Sequence, residues 1–290
     1  MIVVRLNGGL GNQMFQLAAC YALARRIGAE YRVDLSSFRH SIRRYELDVF
    51  AGAPQAATVS ELPLGSRLGR WGVPAMIAIP VGRSLGTTAI FEERSPFLFD
   101  ERFLHLRDNS YLIGYFQSQK YFEGLALEIR KLFTFGRPPS AANRNMLERI
   151  AECPSVSIHV RRGDYVSVPK TSKYYRTCSL EYYQAALRII RERVSDPTVF
   201  VFSDDPGWAR ENIKLADETI YVDHNDGPSA FEDMRLMSNC RHHIIANSSF
   251  SWWGAWLNPS TEKTVVAPRQ WLSDSAIDLR DLLPPEWTSI

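Results

Sequence analysis

The sequence is poor in cysteine and carries almost no net charge. Its four cysteines, Cys20, Cys153, Cys178 and Cys240, form no Cys-x-x-Cys pair. Their spacing argues against a disulfide framework or a structural zinc site and favours a reducing compartment. Lys and Arg number 34 against 32 Asp and Glu, a net charge of +2. The overall charge therefore predicts no binding to nucleic acid or to lipid, and any anion site must be local.

Long apolar runs are missing as well. No uncharged apolar stretch approaches the roughly 20 residues that a membrane-spanning helix needs. Residues 2–6, Ile-Val-Val-Arg-Leu, are typical of a buried strand rather than of a signal peptide. We therefore expect a cytoplasmic protein without a membrane span. A peripheral position at the inner membrane is compatible with this expectation. Because no Asp-x-Asp or His-rich spacing occurs, we expect no metal and no cofactor.

Short apolar runs alternate with longer helical patterns, which indicates strand–helix units around parallel sheets. In the second half, strands are predicted over residues 156–160, 198–202, 219–222, 243–246 and 264–267. Residues 51–100, with many prolines and glycines, predict only loops and short helices. The Gly- and Pro-rich break at residues 136–140 is the preferred domain boundary. The predicted class is α/β, with two Rossmann-like domains facing across a cleft.

A glycine turn follows the first strand. Gly8, Gly9 and Gly11 allow the backbone to approach a ligand closely, and Asn12 is placed to cap the helix predicted over residues 14–27. The N–H groups at the start of that helix favour an anion. A tight strand-to-helix connection that needs glycine explains the same pattern equally well.

Two arginines follow the strand at residues 156–160. Arg161, Arg162, Gly163 and Asp164 stand where a parallel strand meets the ligand crevice. The guanidinium fork suits phosphate because it is permanently charged and bidentate. The alternative is a structural Arg–Asp pair, and we expect one of the two arginines to make such a pair.

The strand at residues 243–246 leads into Asn247, Ser248 and Ser249 and then into an apolar helix. This order places hydroxyl groups and unpaired backbone N–H groups at one helix start, where a pyrophosphate would be well held. Plain N-capping by Ser or Asn is the alternative. The tryptophans that follow have the spacing of core residues rather than of a sugar-stacking surface.

Two carboxylates, Asp204 and Asp205, follow the strand at residues 198–202. They are placed to accept hydrogen bonds from guanine N–H groups or ribose hydroxyls. One of them is expected instead to cap the helix that begins with Pro206.

Four segments together resemble glycosyltransferase family 11, the α-1,2-fucosyltransferases. They are residues 8–16 (Gly-Gly-Leu-Gly-Asn-Gln-Met-Phe-Gln), 114–122 (Gly-Tyr-Phe-Gln-Ser-Gln-Lys-Tyr-Phe), 159–165 (His-Val-Arg-Arg-Gly-Asp-Tyr) and 247–253 (Asn-Ser-Ser-Phe-Ser-Trp-Trp). The resemblance spans nearly the whole chain and is weakest around residues 51–105.

The resemblance implies a GT-B-like fold and an inverting, metal-independent transfer of fucose from GDP-fucose to a galactoside. The acceptor would be an oligosaccharide or a lipid-linked glycan with terminal galactose, as in O-antigen-type synthesis. Residues 1–138 would form the acceptor-side domain and 139–272 the GDP-fucose-binding domain, with 273–290 packing back on the N-terminal domain. By analogy, Arg161 would hold the β-phosphate, and His159 with Asp205 would contact the nucleoside. Asn12 would lie near the pyrophosphate and the incoming hydroxyl.

The predicted site divides into catalytic and donor-binding residues. Arg161, Asn12 and Asp164 are assigned to catalysis, Asp164 as the general base with Asp34 as a second candidate. A structural pair between Asp164 and Arg162, and transfer without a strong base, are the alternatives. The donor-binding residues are His159, Arg161, Arg162, Asp204, Asp205, Asn247, Ser248, Ser249, Phe250, Gly11 and Gln13.

Two alternatives stay open. A transferase for another nucleotide sugar would keep Arg161 and Ser249 but change the contacts to the base and the sugar. A carbohydrate-binding protein without catalysis is suggested by 7 Trp and 12 Tyr. Tight GDP binding would argue against the binding protein, and preference for GDP over UDP would separate the two transferases.

Overall fold

The computed structural model describes residues 1–63, 88–168, 173–274 and 277–290. The chain divides into two compact units. The first contains Met1–Arg137 and Leu279–Leu282, and the second contains Pro138–Asp278 and Leu283–Ile290. Each unit has its own parallel sheet with helices along the chain between the strands. This is the α/β class that the sequence predicts.

The first sheet has the strand order β2-β1-β4-β3, and each neighbouring pair is parallel. The chain moves outward from β1 to β2 and then returns to the other side of β1, so the order reverses between β1 and β4. The strands are β1 (Ile2–Arg5), β2 (Tyr31–Asp34), β3 (Ala89–Glu92) and β4 (Ser110–Ile113), and the α-helices are α1 (Leu10–Ile27) and α2 (Ala126–Leu132). Short 3-10 helices cover Ser36–His40, Leu47–Val49, Val59–Glu61, Glu101–His105 and Gln119–Phe122.

Strand β3 corrects one prediction. It lies within residues 51–100, for which the sequence predicts only loops and short helices, and its burial pattern shows one buried residue, Phe91, among its four. So short a strand at the sheet edge has little hydrophobic signal, which is why its sequence pattern is weak. Residues 64–87 of the same region lie outside the described residues.

Helix α1 begins earlier than predicted. Its N-cap is Gly9, with no side-chain capping bond, and Leu10 is its first residue. Asn12 therefore lies inside the helix and does not cap it, contrary to the expectation from the sequence. The helix ends at Gly28, whose φ of 68° is in the left-handed region that favours glycine.

The second sheet has the strand order β10-β9-β8-β5-β6-β7, again with parallel neighbours. Its order reverses between β5 and β8. The strands are β5 (Ser155–Val160), β6 (Thr198–Ser203), β7 (Thr219–Val222), β8 (His242–Ile244), β9 (Val265–Ala267) and β10 (Thr288–Ser289). The α-helices are α3 (Ala141–Glu152), α4 (Gly163–Ser167), α5 (Leu180–Arg191), α6 (Pro206–Asn212), α7 (Phe231–Asn239) and α8 (Ser249–Leu257).

The core of the second unit lies around β5, in which all six residues are buried. A parallel strand covered on both faces is expected to be a continuous apolar run, but β5 also buries the polar residues Ser157 and His159 between its valines and isoleucine. Trp252 and Trp253 are completely buried, with ring centroids 5.0 Å apart. This confirms that the tryptophans of helix α8 pack in the core.

The end of the chain is shared between the units. The carboxylate of Asp281, in the first unit, accepts hydrogen bonds from the backbone N–H of Phe99 at 2.9 Å and from Lys120 Nζ at 2.7 Å. The last eight residues belong to the second unit, where β10 pairs with β9. Within the segment 273–290, Leu279–Leu282 group with the first unit, and packing of the whole segment on the N-terminal domain stays a prediction. Among the described residues, no helix has both the length and the apolar character needed to cross a membrane.

Candidate functional site

The predicted ligand-binding residues of the second unit gather at one edge of its sheet. In doubly wound sheets, ligands bind beyond the carboxyl ends of the strands where the strand order reverses. Here β5 leads into Arg161, and its two neighbours β6 and β8 lead into Asp204 and towards Asn247. The strand register, with Val160 opposite Ser203, places the arginines directly beside the aspartates.

Arg161 is held by Asp204. Its guanidinium nitrogen lies 2.9 Å from the Asp204 carboxylate, and the two side chains are 22% and 26% exposed. The other carboxylate oxygen of Asp204 accepts the backbone N–H of Arg162 at 2.8 Å. The Arg161 guanidinium also lies 5.4 Å from the Tyr165 ring centroid. Arg161 is thus fixed in place while part of its charged fork stays accessible to an anion.

Arg162 makes the structural pair that the sequence leads us to expect. Its Nε donates to Asp205 at 3.2 Å, and its guanidinium lies 3.9 Å from the centroid of the Trp208 ring. Asp205 also accepts the backbone N–H of Trp208 and so caps helix α6. Both arginines therefore pair with an aspartate, where the sequence predicts one such pair, and Asp205 is a helix cap, as predicted for one of the two aspartates.

Gly163 is required by the position of Asp204. A Cβ atom at residue 163 would lie 2.5 Å from the Asp204 carboxylate oxygen, which is too close for any side chain. Helix α4, which begins at this glycine, includes Asp164 as its second residue. The side chain of Asp164 lies outside the described part of the chain.

His159 is buried at the end of β5, with 5% of its surface exposed. Its Nδ1 has no hydrogen-bond partner among the described residues, and its ring lies 5.8 Å from that of Phe250. Burial lowers the pKa of His159 to about 4, against the opposing effect of Asp204 and with a smaller contribution from Arg161. The imidazole is therefore neutral at neutral pH. An unpaired buried nitrogen of this kind is unusual away from a binding site.

The start of helix α8 combines a cap with a structural amide. Ser248 is the N-cap, and its hydroxyl accepts the backbone N–H of Phe250 at 3.3 Å. The Asn247 side chain donates to the carbonyls of Arg176 and Trp271, both at 2.9 Å. Asn247 thus connects two neighbouring segments and has both amide hydrogens occupied, while Ser249 and Phe250 are partly exposed.

Asn12 lies at the corresponding reversal point of the first sheet, between β1 and β4. Its Oδ1 accepts a hydrogen bond from Gln117 Nε2 at 2.7 Å. Its amide nitrogen lies over Gly8, where a Cβ atom would approach it to 2.6 Å, and Gly8 has a φ of 78°. Asn12 therefore contacts both the glycine turn after β1 and the loop after β4.

Gln13, which is predicted to contact the donor, makes three hydrogen bonds within the protein. Its amide donates to the carbonyls of Gly8 at 2.9 Å and Arg44 at 2.8 Å, and it accepts the backbone N–H of Glu46 at 2.9 Å. The side chain is completely buried, so it connects the glycine turn to residues 44–46. Gly11 is likewise buried inside helix α1.

Asp34, the second candidate for a general base, is completely buried at the end of β2. Its carboxylate accepts hydrogen bonds from Tyr111 Oη at 2.6 Å and from both the backbone N–H and the hydroxyl of Ser36 at 2.9 Å. These bonds give Asp34 a structural function in the first unit.

Gln117 donates a hydrogen bond to the predicted site residue Asn12, and the sequence gives it no role although it falls inside the segment 114–122. The signal that could have indicated it is its place just after a strand of the first sheet, because polar residues there face the reversal point. Among the described residues, no group of three or more His, Cys, Asp or Glu side chains is arranged to hold a metal ion.

Residues 99–290 match glycosyl transferase family 11. The chain belongs to this family. The O-antigen biosynthesis glycosyltransferase WbnK of Escherichia coli is 32% identical over 284 residues, which cover 92% of this chain and 94% of WbnK. An α-1,2-colitosyltransferase of Escherichia coli is 30% identical over 300 residues, covering 100% of this chain and 99% of that protein. The galactoside α-(1,2)-fucosyltransferase 2 of Sus scrofa is 27% identical over 305 residues, covering 100% of this chain and 80% of that protein. The protein is thus a glycosyltransferase.

The fold is shared with a solved structure of low sequence identity. The NodZ α-1,6-fucosyltransferase of Bradyrhizobium, soaked with GDP-fucose, matches with a TM-score of 0.52 and 16% identity. The match covers 89% of this chain and 92% of that one. This agrees with the predicted GT-B-like fold class.

Proposed function

We propose that this glycosyltransferase moves fucose from GDP-fucose to a galactose-terminated glycan of O-antigen type, forming an α-1,2 linkage with inversion. The observation that carries the proposal is the arginine at the reversal point of the second sheet, Arg161, held 2.9 Å from Asp204. The names of the WbnK and galactoside fucosyltransferase relatives support the O-antigen-type glycan and the galactoside acceptor.

The diphosphate of the donor would be bound by positive charge and backbone N–H groups. Arg161 supplies a permanently charged fork for the β-phosphate. The first turn of helix α8, around Ser249, supplies N–H groups without intrahelical partners and the positive end of the helix dipole. Donors that are fixed before the reaction stabilise the charge that develops on a leaving group, and this is usually the largest catalytic effect.

The nucleoside would be bound by His159 and Asp205. The Nδ1 of the neutral His159 imidazole has no partner in the part of the chain that the structure describes, so a ligand hydrogen bond would satisfy it. The Asp205 side chain is 41% exposed even though it caps helix α6 and pairs with Arg162. Its carboxylate can therefore still accept a hydrogen bond from a ribose hydroxyl or a guanine N–H.

In the reaction, the bond between C1 of fucose and the β-phosphate oxygen breaks, and its electron pair leaves with GDP. The 2-hydroxyl oxygen of the acceptor galactose forms the new bond to C1 from the opposite face, which inverts β to α. The hydroxyl proton leaves at the same stage, and Asp164 as its acceptor stays a prediction. Contact of Asn12 with the pyrophosphate and the incoming hydroxyl is proposed from the family resemblance.

The test is calorimetric titration with GDP, UDP and NAD in EDTA. We expect selective binding of GDP. The Arg161→Ala variant should weaken GDP binding by about 10- to 100-fold, the range for a lost hydrogen bond between charged groups. Arg210→Ala is the matched control, because Arg210 is an exposed arginine of the same unit that pairs with Asp223.

Two results would contradict the donor assignment. Preference for UDP would rule out the guanine nucleotide, and unchanged GDP binding by a folded Arg161→Ala protein would rule out the phosphate contact. Incubation with GDP-fucose and a galactoside, followed by nuclear magnetic resonance of the product, tests the linkage and the inverted anomer.

A second donor sugar is favoured by one observation. The relative that covers the whole chain at 30% identity is named a colitosyltransferase, and colitose is fucose without its 3-hydroxyl. A site that hydrogen-bonds this hydroxyl would reject colitose by a large factor, about 10⁴ or more. Transfer rates measured side by side with the two GDP-sugars would decide between them.

A further inference from the structure

Glu93 is a half-buried carboxylate that the proposed reaction does not use. It directly follows β3, so it lies at the same carboxyl edge of the first sheet as the glycine turn. Its carboxylate accepts the backbone N–H groups of Tyr115 at 2.7 Å and Phe116 at 2.9 Å, and it accepts the hydroxyl of Tyr121 at 3.0 Å. Glu93 thus holds the loop that follows β4.

This loop has a conformation that needs support. Phe116 has a φ of 54°, in the left-handed region that is unfavourable for a bulky residue. Its ring is completely buried among Phe91, Phe103 and Tyr121, with centroids 5.1–6.3 Å away. The backbone at Gly114 comes so near to Glu93 that an added Cβ atom would lie 2.6 Å from the carboxylate. The close approach of Gly114 to the Glu93 carboxylate therefore restricts the conformation of the loop.

The loop determines the orientation of Asn12. Gln117, the residue after Phe116, donates to Asn12 Oδ1 at 2.7 Å. With its oxygen held by Gln117, Asn12 presents its amide nitrogen at the glycine turn, over Gly8. Gln16 adds a second connection, because its Nε2 donates to the carbonyl of Gly114 at 2.9 Å. A path of direct contacts therefore leads from Glu93 through the loop to Asn12.

We propose that Glu93 is a positioning residue for sugar transfer, which orients Asn12 through the loop 114–117. The inference rests on the proposed function, because that function assigns Asn12 to the substrate. The Glu93 carboxylate bonds to Tyr115, Phe116 and Tyr121, so we expect its substitution to act through Asn12 on the rate of transfer and to leave the Arg161 contact to the nucleotide unchanged.

The charge of Glu93 is sensitive to pH near neutrality. Burial raises its pKa to about 7, although the two backbone N–H groups and Tyr121 act in the opposite direction. Asp100 also faces this group and raises the pKa further, while Arg102 pairs with Asp100 and Arg94 lies near it. Above its pKa, Glu93 is ionised and accepts both N–H groups strongly. Below it, one carboxyl oxygen carries a proton, and the loop is held less firmly.

Glu93→Gln tests the inference, because glutamine keeps the shape and removes the titration. We expect the wild-type kcat to rise about fivefold from pH 6 to pH 8, because a group with a pKa near 7 ionises over this range. The kcat of the variant should not change with pH and should stay near the lower wild-type value. Glu92→Gln is the matched control, since Glu92 is the exposed neighbour at the end of β3. A Glu93→Gln protein that keeps the wild-type kcat and pH profile would overturn the proposal.

Gln117→Ala gives a second, independent measurement. If Glu93 acts through Gln117, the variant that combines Glu93→Gln with Gln117→Ala should be no slower than the slower of the two single variants, because the effects of coupled residues are not additive. Fully multiplicative losses would overturn the path. The outcome is separate from that of the proposed function, which fails if the wild type binds UDP rather than GDP. Glu93 can be tested with whichever nucleotide sugar the wild type transfers.

Discussion

The guanidinium of Arg161 and the carboxylate of Asp204 lie 2.9 Å apart at the ends of two neighbouring parallel strands. The same carboxylate reaches the backbone N–H of Arg162 and lies where a side chain at residue 163 would begin. The position of the arginine therefore depends on the absence of a side chain at residue 163.

Gly163→Ala should displace Asp204 and loosen Arg161, since its Cβ atom would lie 2.5 Å from the carboxylate oxygen. We expect GDP affinity to fall about tenfold, close to the loss of one hydrogen bond to a charged group. Gly207→Ala is the matched control, because a Cβ atom there meets nothing within 4 Å. It lies in helix α6 and should stabilise the protein by up to about 1 kcal/mol. Calorimetry with GDP decides, and equal affinities would disprove the dependence of Arg161 on residue 163.

His159→Phe should change how stability depends on pH. The folded-state pKa of His159 is about 4, below the ordinary histidine pKa of 6.5. Between these values the unfolded chain binds a proton that the folded chain does not, so the wild type loses stability as pH falls through this window. The unfolding free energy of the wild type minus that of the variant should fall by up to roughly 3 kcal/mol from pH 7 to pH 4. Urea unfolding across this range measures it, and a constant difference would refute the neutral, buried imidazole.

Asn247→Asp should destabilise the second unit. The substitution removes both amide hydrogens and places oxygen against the carbonyls of Arg176 and Trp271. Leaving buried acceptors unpaired costs about 1–3 kcal/mol, and a charge costs more. Asn212→Asp, at an exposed residue of helix α6, should change stability by less than about 0.5 kcal/mol. Thermal unfolding of the two proteins is the measurement, and equal midpoints would contradict the structural role of the Asn247 amide.

Transfer should continue in EDTA at a rate within about twofold of the untreated enzyme, if Arg161 and the start of helix α8 carry out the charge stabilisation that a divalent cation would otherwise supply. The assay uses protein that has been dialysed against the chelator. A loss of activity that magnesium restores would disprove the metal-independent mechanism.

Much of the second unit follows from its sequence. Its strands are short, mostly apolar segments followed by charged or hydroxyl residues, so both the strands and the polar residues at their carboxyl ends can be placed, as Arg161 and Ser248 show. Pairing between strands is not encoded locally. That Asp204 rather than another acid holds Arg161 depends on β5 and β6 being neighbours, which only the folded sheet reveals.

The first unit was less predictable. Helix α1 begins at Leu10 because Gly9 is its N-cap, whereas the sequence pattern predicts Asn12 as the cap. Glu93 and Gln117 belong to segments with little hydrophobic periodicity, and their importance comes from contacts across more than twenty residues of sequence. Such contacts have no signature in a single sequence.

The shared end of the chain has a consequence for dissecting the protein. The polypeptide passes from one unit to the other after Arg137, after Asp278 and again after Leu282. No single cut therefore separates the two units: a fragment ending at Arg137 lacks Asp281, which accepts hydrogen bonds from Phe99 and Lys120. The complementary fragment would carry four residues of its neighbour. Independent expression of either half should require that short segment to be transplanted with the half to which it belongs.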